Sequence, residues 1–305
     1  MYNRQMILHQ NQHYKKLSQK WTARSRDLRN NLWHKHGETL GWLTENYRQL
    51  AAGSLSGLLL LASPHNPQLP PPSDLVKSAQ EVRGIDKKAT LISELSTVLP
   101  SAVRVLTDDE EKRIAEILSN TFGFRVAAEL DSKKLNRSYG LIGLEQHLAR
   151  FPGDNMAIHF DTTDEARNYY ADGMAPGLGA WGYFARSKEE FKEKDKMREK
   201  YYLAVQTFLV PDYNQRVAEY RDFFKYRKML AVNPENGKAM VVVIGDAGPA
   251  AWTGKHLGGS PEVMRYLERV DGAARGPVLY FFIDDPNDTI PLGPIETGSV
   301  IASNN

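Results

Sequence analysis

The chain has 305 residues, of which 41% are hydrophobic and 25% are charged, and its formal net charge is +2. These are the proportions of an ordinary globular protein, and they exclude a chain that is disordered throughout. The chain has no cysteine, which excludes disulfide bonds, a thiolate nucleophile and a cysteine-based zinc site.

The first part of the chain is basic and is followed by an apolar run. Residues 1–48 carry nine Lys or Arg against three Asp or Glu, and the next fifteen residues, 49–63, have no charge. A membrane-spanning helix needs about 20 apolar residues, and extending the run back to residue 40 reaches that length. Basic residues favour the cytoplasmic side of a membrane. We expect a basic cytoplasmic tail at 1–39, a membrane-anchor helix at 40–63 and a Pro-rich linker at 64–78.

Two other interpretations of this region stay open. The uncharged run is also compatible with a buried helix of a soluble bundle, in which Gly53 and Gly57 allow close packing. Basic residues near Trp21 and Trp33 have the composition of a nucleic-acid-binding arm. We expect no nucleic-acid binding, because the hydrophobic run behind these residues makes a cytoplasmic tail the simpler explanation.

Residues 79–154 are expected to form a small, mainly helical region. Thr107 has the pattern of an N-cap and Glu110 that of a capping box, which predicts a helix from there to about Asn120. Two further helices are predicted at Ser73–Val82 and Lys88–Leu99, and a short strand at Phe122–Val126.

Several side chains suited to catalysis or metal binding follow. Glu145 and His147 are suited to acid–base chemistry, but a short helix at Leu144–Arg150 with its polar residues exposed is the commoner arrangement. His159 and Asp161 share one face of a predicted strand, yet two ligands without a third do not define a metal site. We therefore predict no metal site and no cofactor.

The remainder, 155–305, is predicted to be a β domain with helical insertions. The insertion Lys188–Lys200 is charged almost throughout, which is typical of a solvated helix face. The insertion Asp212–Tyr226 carries Val217, Tyr220 and Phe224 on one apolar stripe. Six strands are predicted, at Met156–Phe160, Leu178–Phe184, Tyr201–Val210, Lys228–Val232, Met240–Ile244 and Val278–Ile283.

The most informative segment is 231–260. Asn236-Gly237 predicts a hairpin turn, because both residues readily adopt positive φ angles. The β-branched run Met240–Ile244 is long enough for a strand that is buried on both faces. Asp246 follows in a loop bounded by Gly and Pro, and loops on rigid strands often carry functional residues. Ser260 is predicted to cap a short helix.

These features resemble the double-psi β-barrel of the rare lipoprotein A and expansin-like families, over about the last half of the chain. Gly177–Tyr183 is similar to the opening strand of that barrel, which reads Gly-x-Ala-Ser-Trp-Tyr-Gly. The other matching positions, in order, are Val232-Asn233, Asn236-Gly237-Lys238, Val241–Ile244, Asp246, Gly248-Pro249, Gly254-Lys255 and Ser260. The resemblance implies an α+β protein in which a six-stranded double-psi β-barrel with helical insertions follows the small helical region and the membrane anchor.

The sequence departs from this family at several positions. Leu257–Ser260 stands where the family has Ile-Asp-Leu-Ser, so that aspartate is missing. The histidine of the lytic members has no counterpart, and Gln206 is the nearest polar residue. The upstream catalytic glutamate of the family corresponds to Glu189 or Glu190. The lipobox cysteine is also missing, so the chain is not a lipoprotein.

The resemblance implies a membrane-anchored envelope protein that binds peptidoglycan or a related glycan, with or without cleaving it as a lytic transglycosylase does. In such enzymes one acid protonates the glycosidic oxygen and the sugar's own hydroxyl attacks in place of water. A carboxyl with a raised pKa suits this role, although an Asp before Ala-Gly-Pro also commonly caps its own loop. The catalytic candidates are Asp246, Glu189 and Glu190, and the substrate-binding candidates are Trp181, Tyr183, Gln206, Trp252, Lys255 and His256.

The alternative function is that of a non-catalytic envelope scaffold or protein-interaction module, because a fold alone does not fix a function. The expected partners are cell-wall glycan and, through the N-terminal helix, the membrane. Most of the chain is expected on the outer side of that membrane, and the sequence leaves the oligomeric state open.

Overall fold

The protein is described here by a computed structural model of residues 87–269 and 276–297. All of these residues belong to one structural unit, Pro72–Asn305. The predicted tail, membrane anchor, Pro-rich linker and helix at Ser73–Val82 lie outside the described residues. Within the described residues, no helix has both the length and the apolar character that crossing a bilayer requires.

Two helices precede the β-structure, as the sequence predicts. Helix α1 covers residues 87–98, and α2 covers Asp108–Phe122. Thr107 caps α2 by accepting a hydrogen bond from the backbone N–H of Glu110, whose carboxylate accepts one from the backbone N–H of Thr107 in return. The capping box therefore satisfies two N–H groups that the first turn of a helix leaves free.

The remaining elements are mostly short and alternate along the chain. The strands within the described residues are β1 Val126–Ala127, β2 Glu129–Leu130, β3 Lys133–Lys134, β4 Tyr139–Leu144, β5 Tyr202–Val205, β6 Lys228–Val232, β7 Ala239–Ala247, β8 Leu257–Gly259, β9 Gly276–Ile283 and β10 Gly293–Ile295. The helices after α2 are α3 Thr163–Tyr169, α4 Glu193–Lys200, α5 Val217–Phe224 and α6 Pro261–Tyr266. Single 3₁₀ turns lie at Tyr170–Asp172, Thr207–Leu209, Tyr213–Gln215 and Ala251–Thr253.

Six of these strands close into a barrel. Their order around the barrel is β9, β4, β8, β5, β7, β6 and back to β9. The pairs β4–β8 and β5–β7 are parallel, and the other four pairs are antiparallel. The strands β1 and β10 add to β9 and β7 from outside, and β2 and β3 form a separate hairpin. The protein is thus α+β with a closed six-stranded mixed β-barrel.

The hairpin between β6 and β7 forms at the predicted turn. The backbone N–H of Asn233 donates to Lys238 O at 2.9 Å, and Gly237 has a φ of +67°. The side chains of Asn233 and Asn236 each accept a hydrogen bond from a backbone N–H two residues later. Asparagine stabilises turns in this way, so both asparagines and the glycine have a physical role.

The strand β7 is buried on both faces, as its β-branched run predicts. Met240, Val242 and Ile244 pack in the barrel interior with residues of the other barrel strands. Val241 points the other way and packs in a second apolar cluster, which includes residues of α1 and α2. Because side chains alternate along a strand, one apolar run supplies both clusters.

The helix α6 is also built as predicted. Ser260 is its N-cap and accepts a hydrogen bond from Val263 N, and Pro261 occupies the first turn. The helix α5 carries the predicted stripe, with Tyr220 and Phe224 buried. Val217, which was expected on that stripe, is 39% exposed.

Two predicted strands and one predicted helix are wrong. Residues 156–160 and 178–184 form turns and loops, so Gly177–Tyr183 is not an opening strand, and no helix forms at 144–150. The barrel uses the glycine-containing strands β4 and β8 instead, whose composition gives little β-propensity. Close packing explains these glycines: a Cβ at Gly143 would lie 2.3 Å from Lys255 Cδ, and one at Gly258 would lie 2.2 Å from Glu145 Cγ.

Barrel strands also come from both sides of residue 155, where the sequence suggested a domain boundary. The strand β4 lies before that residue and pairs with β8 and β9. The short strand predicted at Phe122–Val126 is displaced, because Phe122 ends α2 and pairing begins at Val126. The domain boundaries themselves remain a prediction.

Candidate functional site

The parallel strands β5 and β7 end at the same edge of the barrel, and Asp246 lies there. In the β5–β7 pair, Ala204 lies opposite Asp246. Gln206 comes directly after β5, and Gly248-Pro249 directly after β7. Asp246 itself belongs to β7, whereas the sequence placed it in the loop beyond the strand. We call this edge the Asp246 edge.

The carboxyl of Asp246 is held by backbone groups on one side only. Its Oδ1 accepts hydrogen bonds from Ala180 N at 2.6 Å and Ala247 N at 2.7 Å. Its Oδ2 makes no hydrogen bond to any described residue. A Cβ on Gly179 would lie 3.3 Å from Asp246 Oδ1 and 3.3 Å from Leu148 Cδ1. A residue without a side chain therefore lets the 179–180 loop reach the carboxyl.

The electrostatics of Asp246 differ from those of an exposed aspartate. Burial raises the pKa of Asp246 above its ordinary value, although the hydrogen bonds from Ala180 and Ala247 act in the opposite direction. A half-buried carboxyl with one oxygen fixed and the other unpaired can donate a proton to a bound group. The hydrogen bond from Ala180 N also ties the 179–180 loop to the barrel, which is a structural role.

Gln206 and Lys255 hold the neighbouring loops together. Gln206 is 4% exposed, and its Nε2 donates to Pro249 O at 3.0 Å and to Lys255 O at 3.4 Å. The ammonium of Lys255 donates to Leu144 O at 2.9 Å and to Glu145 Oε1 at 2.6 Å. These predicted substrate-binding side chains therefore have protein partners already, and Gln206 supports the loop from inside.

His256 also has a partner within the protein. Its Nδ1 accepts a hydrogen bond from Leu141 N at 2.9 Å. Burial, together with the charge of Arg137, lowers the pKa of His256. The imidazole is therefore neutral near pH 7 and keeps Nε2 for another contact.

The three predicted aromatic residues differ sharply in exposure. Trp181 is 6% exposed, and its Nε1 donates to Ile244 O at 3.1 Å, so its ring belongs to the core. Tyr183 is 37% exposed and Trp252 is 89% exposed. Of the two tryptophans, only Trp252 offers a free ring face to a ligand.

The two glutamates predicted as catalytic partners do not join Asp246. Glu189 and Glu190 are exposed, and no hydrogen bond or ion pair among the described residues links either one to Asp246. The Ser187 hydroxyl holds the pKa of the Glu189 carboxyl below its usual value. Glu190 instead lines a surface cleft together with Tyr183. The structure thus brings Asp246 and Gln206 to one edge and places these glutamates elsewhere.

A second group of polar side chains is almost fully buried. His147, His159 and Glu199 are 0%, 5% and 3% exposed. His147 follows β4, His159 lies in the turns at 155–160, and Glu199 lies near the end of α4. Each offers one ligand atom, an imidazole nitrogen or a carboxylate oxygen, and these three atoms lie within 4.8 Å of one another. We call these three residues the histidine cluster.

The histidine cluster is embedded in further ionic contacts. His159 Nδ1 lies 3.1 Å from Asp154 Oδ2, and His159 Nε2 lies 3.3 Å from Glu199 Oε2. Asp154 in turn accepts hydrogen bonds from Arg150 Nε at 2.8 Å and Arg150 Nη2 at 2.9 Å. The Glu199 carboxylate also accepts one from Leu148 N at 3.0 Å. Nearly every buried charge here has an opposite charge beside it.

These contacts set the pKa values in the cluster. Burial alone would raise the pKa of Glu199, but the two histidines together lower it to about 2. Burial alone would lower the pKa of His159, but its bonds to Asp154 and Glu199 raise it to about 9. Burial, followed by the charge of Glu199, raises the pKa of Glu262 in α6 to about 7.

Sequence reasoning named His147 and His159 separately but missed Glu199. The insertion Lys188–Lys200 was expected to be a solvated helix, yet α4 begins only at Glu193, and one glutamate of the helix is buried against both imidazoles. His159 and Asp161 do not share a strand face as predicted, because residues 156–160 form no strand, and Asp161 is exposed and pairs with Lys196. The sequence pattern of a charged helix does not distinguish a buried glutamate from the exposed ones, so nothing in the sequence indicated that Glu199 is buried.

Comparisons of the chain with protein-family models, with curated proteins and with solved structures give no match. What the two sites can do chemically therefore follows from their own geometry.

Proposed function

We propose that this chain is a cell-envelope protein whose barrel binds peptidoglycan or a related glycan at the Asp246 edge, and that Asp246 is the acid for its cleavage. The observation that carries the proposal is the state of the Asp246 carboxyl. Burial raises its pKa, two backbone N–H groups hold Oδ1, and Oδ2 has no partner among the described residues. A general acid needs a retained proton and a free oxygen to deliver it.

The topology supports assigning the barrel to the double-psi class. The closed barrel has two parallel pairs, β4–β8 and β5–β7, and the parallel partners are far apart in sequence. The segments that resemble the rare lipoprotein A and expansin-like families form β6, the turn, β7 and α6 in the expected order. This assignment also supports a glycan as the ligand.

The reaction we propose requires no water and no net transfer of protons. The Asp246 carboxyl gives its proton to the glycosidic oxygen as the bond from that oxygen to the anomeric carbon breaks. A hydroxyl oxygen of the same sugar then bonds to the anomeric carbon, and its proton passes to the Asp246 carboxylate. Because acid and base are one residue, the distance between Asp246 and the exposed glutamates does not prevent the reaction.

The exposed aromatic side chains complete the proposed binding surface. Trp252 lies in the 3₁₀ turn that follows Gly248-Pro249, and an exposed ring can pack on the apolar face of a sugar. Tyr183 is a second candidate on the loop after Trp181. Trp181 itself is excluded as a stacking residue because it is buried.

We further propose that residues 40–63 anchor the protein in a membrane with the barrel on the outer side. The proposal rests on the basic tail and on the uncharged run before the Pro-rich linker. Protease added to intact spheroplasts should digest the region after Pro64. Full protection of the barrel until the membrane is broken would contradict this topology.

Binding and cleavage are tested together with purified sacculi. The wild-type chain should pellet with insoluble sacculi and give a clearing band in zymography. Asp246→Asn should still pellet but give no band, because Asn keeps the Oδ1 acceptor and loses the proton. Glu94→Gln is the control, since it neutralises an exposed carboxylate in α1, away from every residue of the proposed glycan surface, and it should behave like the wild type.

The second candidate is a non-catalytic envelope scaffold. It is favoured by the tie between Asp246 Oδ1 and the 179–180 loop, which gives Asp246 a structural role. Pelleting without any clearing band in the wild type would support glycan binding alone. Failure of the wild type to pellet at all would overturn the glycan proposal and leave a protein-interaction module.

A further inference from the structure

His147 is the most unusual polar side chain in the described part of the chain. It is 0% exposed, and neither ring nitrogen makes a hydrogen bond there. Its Nδ1 lies 3.4 Å from Glu199 Oε1 but is not aligned for a hydrogen bond. A buried polar group without a partner is unfavourable, so each such group calls for an explanation.

The donor atoms lie close enough together to hold one cation, since one atom from each residue lies within 4.8 Å of the other two. Zinc binds imidazole nitrogen and carboxylate oxygen at about 2.0–2.1 Å, so neighbouring ligand atoms of a tetrahedron lie about 3.3–3.4 Å apart. His147 Nδ1 lies 3.4 Å from Glu199 Oε1 and His159 Nε2 lies 3.3 Å from Glu199 Oε2, so each imidazole faces one oxygen of the carboxylate at about this spacing. Two imidazoles and one carboxylate are a common set of zinc ligands.

The residues that hydrogen-bond to the ligand groups are also arranged as they commonly are around a protein-bound metal. A ligating histidine usually gives its other ring N–H to a carboxylate, which fixes the ring orientation. Asp154 has this position at His159 Nδ1, at 3.1 Å. Arg150 binds Asp154 through two guanidinium nitrogens, and Leu148 N holds the Glu199 carboxylate.

The local charge favours a divalent cation. Glu199, Asp154 and Glu262 are three buried carboxyl groups, and Glu262 interacts electrostatically with both Glu199 and His147. The cations that act on these carboxyl groups are the guanidinium of Arg150, which binds Asp154, and the ammonium of Lys200, which acts on Glu262. The rings of Phe160 and Tyr169 approach His147 edge-on, at 5.4 Å and 6.4 Å between centroids, and they shield the cluster from water.

We propose that His147, His159 and Glu199 bind one divalent metal ion of the zinc type. The ion joins three segments that are distant in sequence: the chain after β4, the turns at 155–160 and the end of α4. Because the ligands are almost fully buried, its role is structural. Leu148 follows His147 in the chain, and its side chain lies beside Gly179, in the loop that also contacts Asp246. The ion therefore also helps to fix the position of this loop at the Asp246 edge. The competing occupant is a proton on His159, which would make the cluster a purely ionic network.

The test uses the full chain freed of metal with a chelator and then titrated with Zn²⁺ by calorimetry, with Co²⁺ as an optical probe. We expect Co²⁺ to give the visible absorption of a tetrahedral site. We expect Zn²⁺ to raise the melting temperature, because a ligand that binds only the folded state stabilises it. The readout is metal binding, so it is independent of the glycan proposal.

Variants locate the ion. His147→Ala and Glu199→Gln should abolish the tetrahedral Co²⁺ absorption, and Asp154→Asn should weaken Zn²⁺ binding about 10–100-fold through its support of His159. Asp161→Asn is the matched control, because it removes a neighbouring carboxylate that lies outside the cluster, and it should bind like the wild type. Four histidines lie in the first 48 residues, so Zn²⁺ that binds all variants equally is bound elsewhere and overturns the proposal. If the ligand variants do not fold, the chain with His9, His13, His34 and His36 all replaced by Ala decides, since the absorption should persist in it, and its loss would mean that the cluster holds no metal.

Discussion

The Asp246 edge and the histidine cluster each contain a buried carboxyl group, but the pKa values of the two carboxyl groups are shifted in opposite directions. Burial raises the pKa of Asp246, whereas the pKa of the more deeply buried Glu199 falls to about 2. The difference lies in their neighbours. Asp246 receives only backbone hydrogen bonds, and Glu199 lies between two imidazoles. Opposite charge close to a buried carboxylate thus outweighs the cost of burial, and backbone dipoles alone do not.

This comparison suggests different uses for the two sites. A carboxyl whose pKa is raised holds its proton to a higher pH than an exposed aspartate does, so the Asp246 edge is suited to acid catalysis. A carboxylate held ionised between histidines is suited to binding a cation or to fixing three segments together. If this difference holds, variants at the two sites should differ in what they change, stability at the histidine cluster and activity at the Asp246 edge.

Removing Glu199 should destabilise the protein strongly. Glu199→Ala leaves His147 and His159 buried without the carboxylate, and breaking a buried charged pair in this way costs about 3–5 kcal/mol. Urea unfolding followed by circular dichroism measures the change. Glu193→Ala, on an exposed position of the same helix, should change stability by only about 0.5 kcal/mol or less. Equal effects of the two variants would mean that the cluster contributes nothing specific.

Replacing Trp181 should lower the stability of the fold, whereas replacing Trp252 should lower glycan binding. Trp181→Ala removes a buried ring and should cost about 3 kcal/mol of unfolding free energy. Trp252→Ala removes a ring that is 89% exposed, so stability should stay within about 0.5 kcal/mol while retention on sacculi falls. Thermal melts and a pelleting assay on both variants are the measurements. Undiminished pelleting of Trp252→Ala would remove this residue from the proposed glycan surface.

The smallest effect concerns the pH dependence of Asp246. Because its pKa is raised in the folded state, its contribution to stability is complete below the ordinary pKa of aspartate, about 3.9, and is lost as the pH rises through the folded-state pKa. Relative to the wild type, Asp246→Asn should therefore gain stability between about pH 4 and pH 7. Urea unfolding of both proteins across this range measures the difference. A wild type that gains stability relative to Asp246→Asn would show that the carboxyl is held ionised and is unsuited to the acid role.

The sequence was most predictive where local chemistry dominates. The capping box at Thr107, the Asn-Gly turn, the run Met240–Ile244 and the Ser260 cap all form as expected. Each of these signals is contained within a few neighbouring residues. The closed barrel was predicted only from the family resemblance, because the periodicity of apolar residues does not specify how six strands close.

Prediction failed where contacts between residues that are distant in sequence determine the structure. The strands β4 and β8 contain glycines because the side chains of Lys255 and Glu145 pass close to their backbones. The sequence does not show which side chain passes over a glycine, so these glycines give no sign that they belong to strands. Trp181 was expected to face a ligand, but only the fold shows that it is buried. Glu199 was hidden for the same reason, since its two histidine partners are 52 and 40 residues away in the sequence.

The central claim, that Asp246 supplies the proton for glycan cleavage by an attacking sugar hydroxyl, is tested most directly by digesting purified sacculi in ¹⁸O-labelled water. The wild type should release soluble fragments whose new ends lack ¹⁸O in mass spectrometry, because no water enters the product, and Asp246→Asn should release none. Fragments that carry ¹⁸O would show hydrolysis instead. Equal release by Asp246→Asn would show that Asp246 is not the acid.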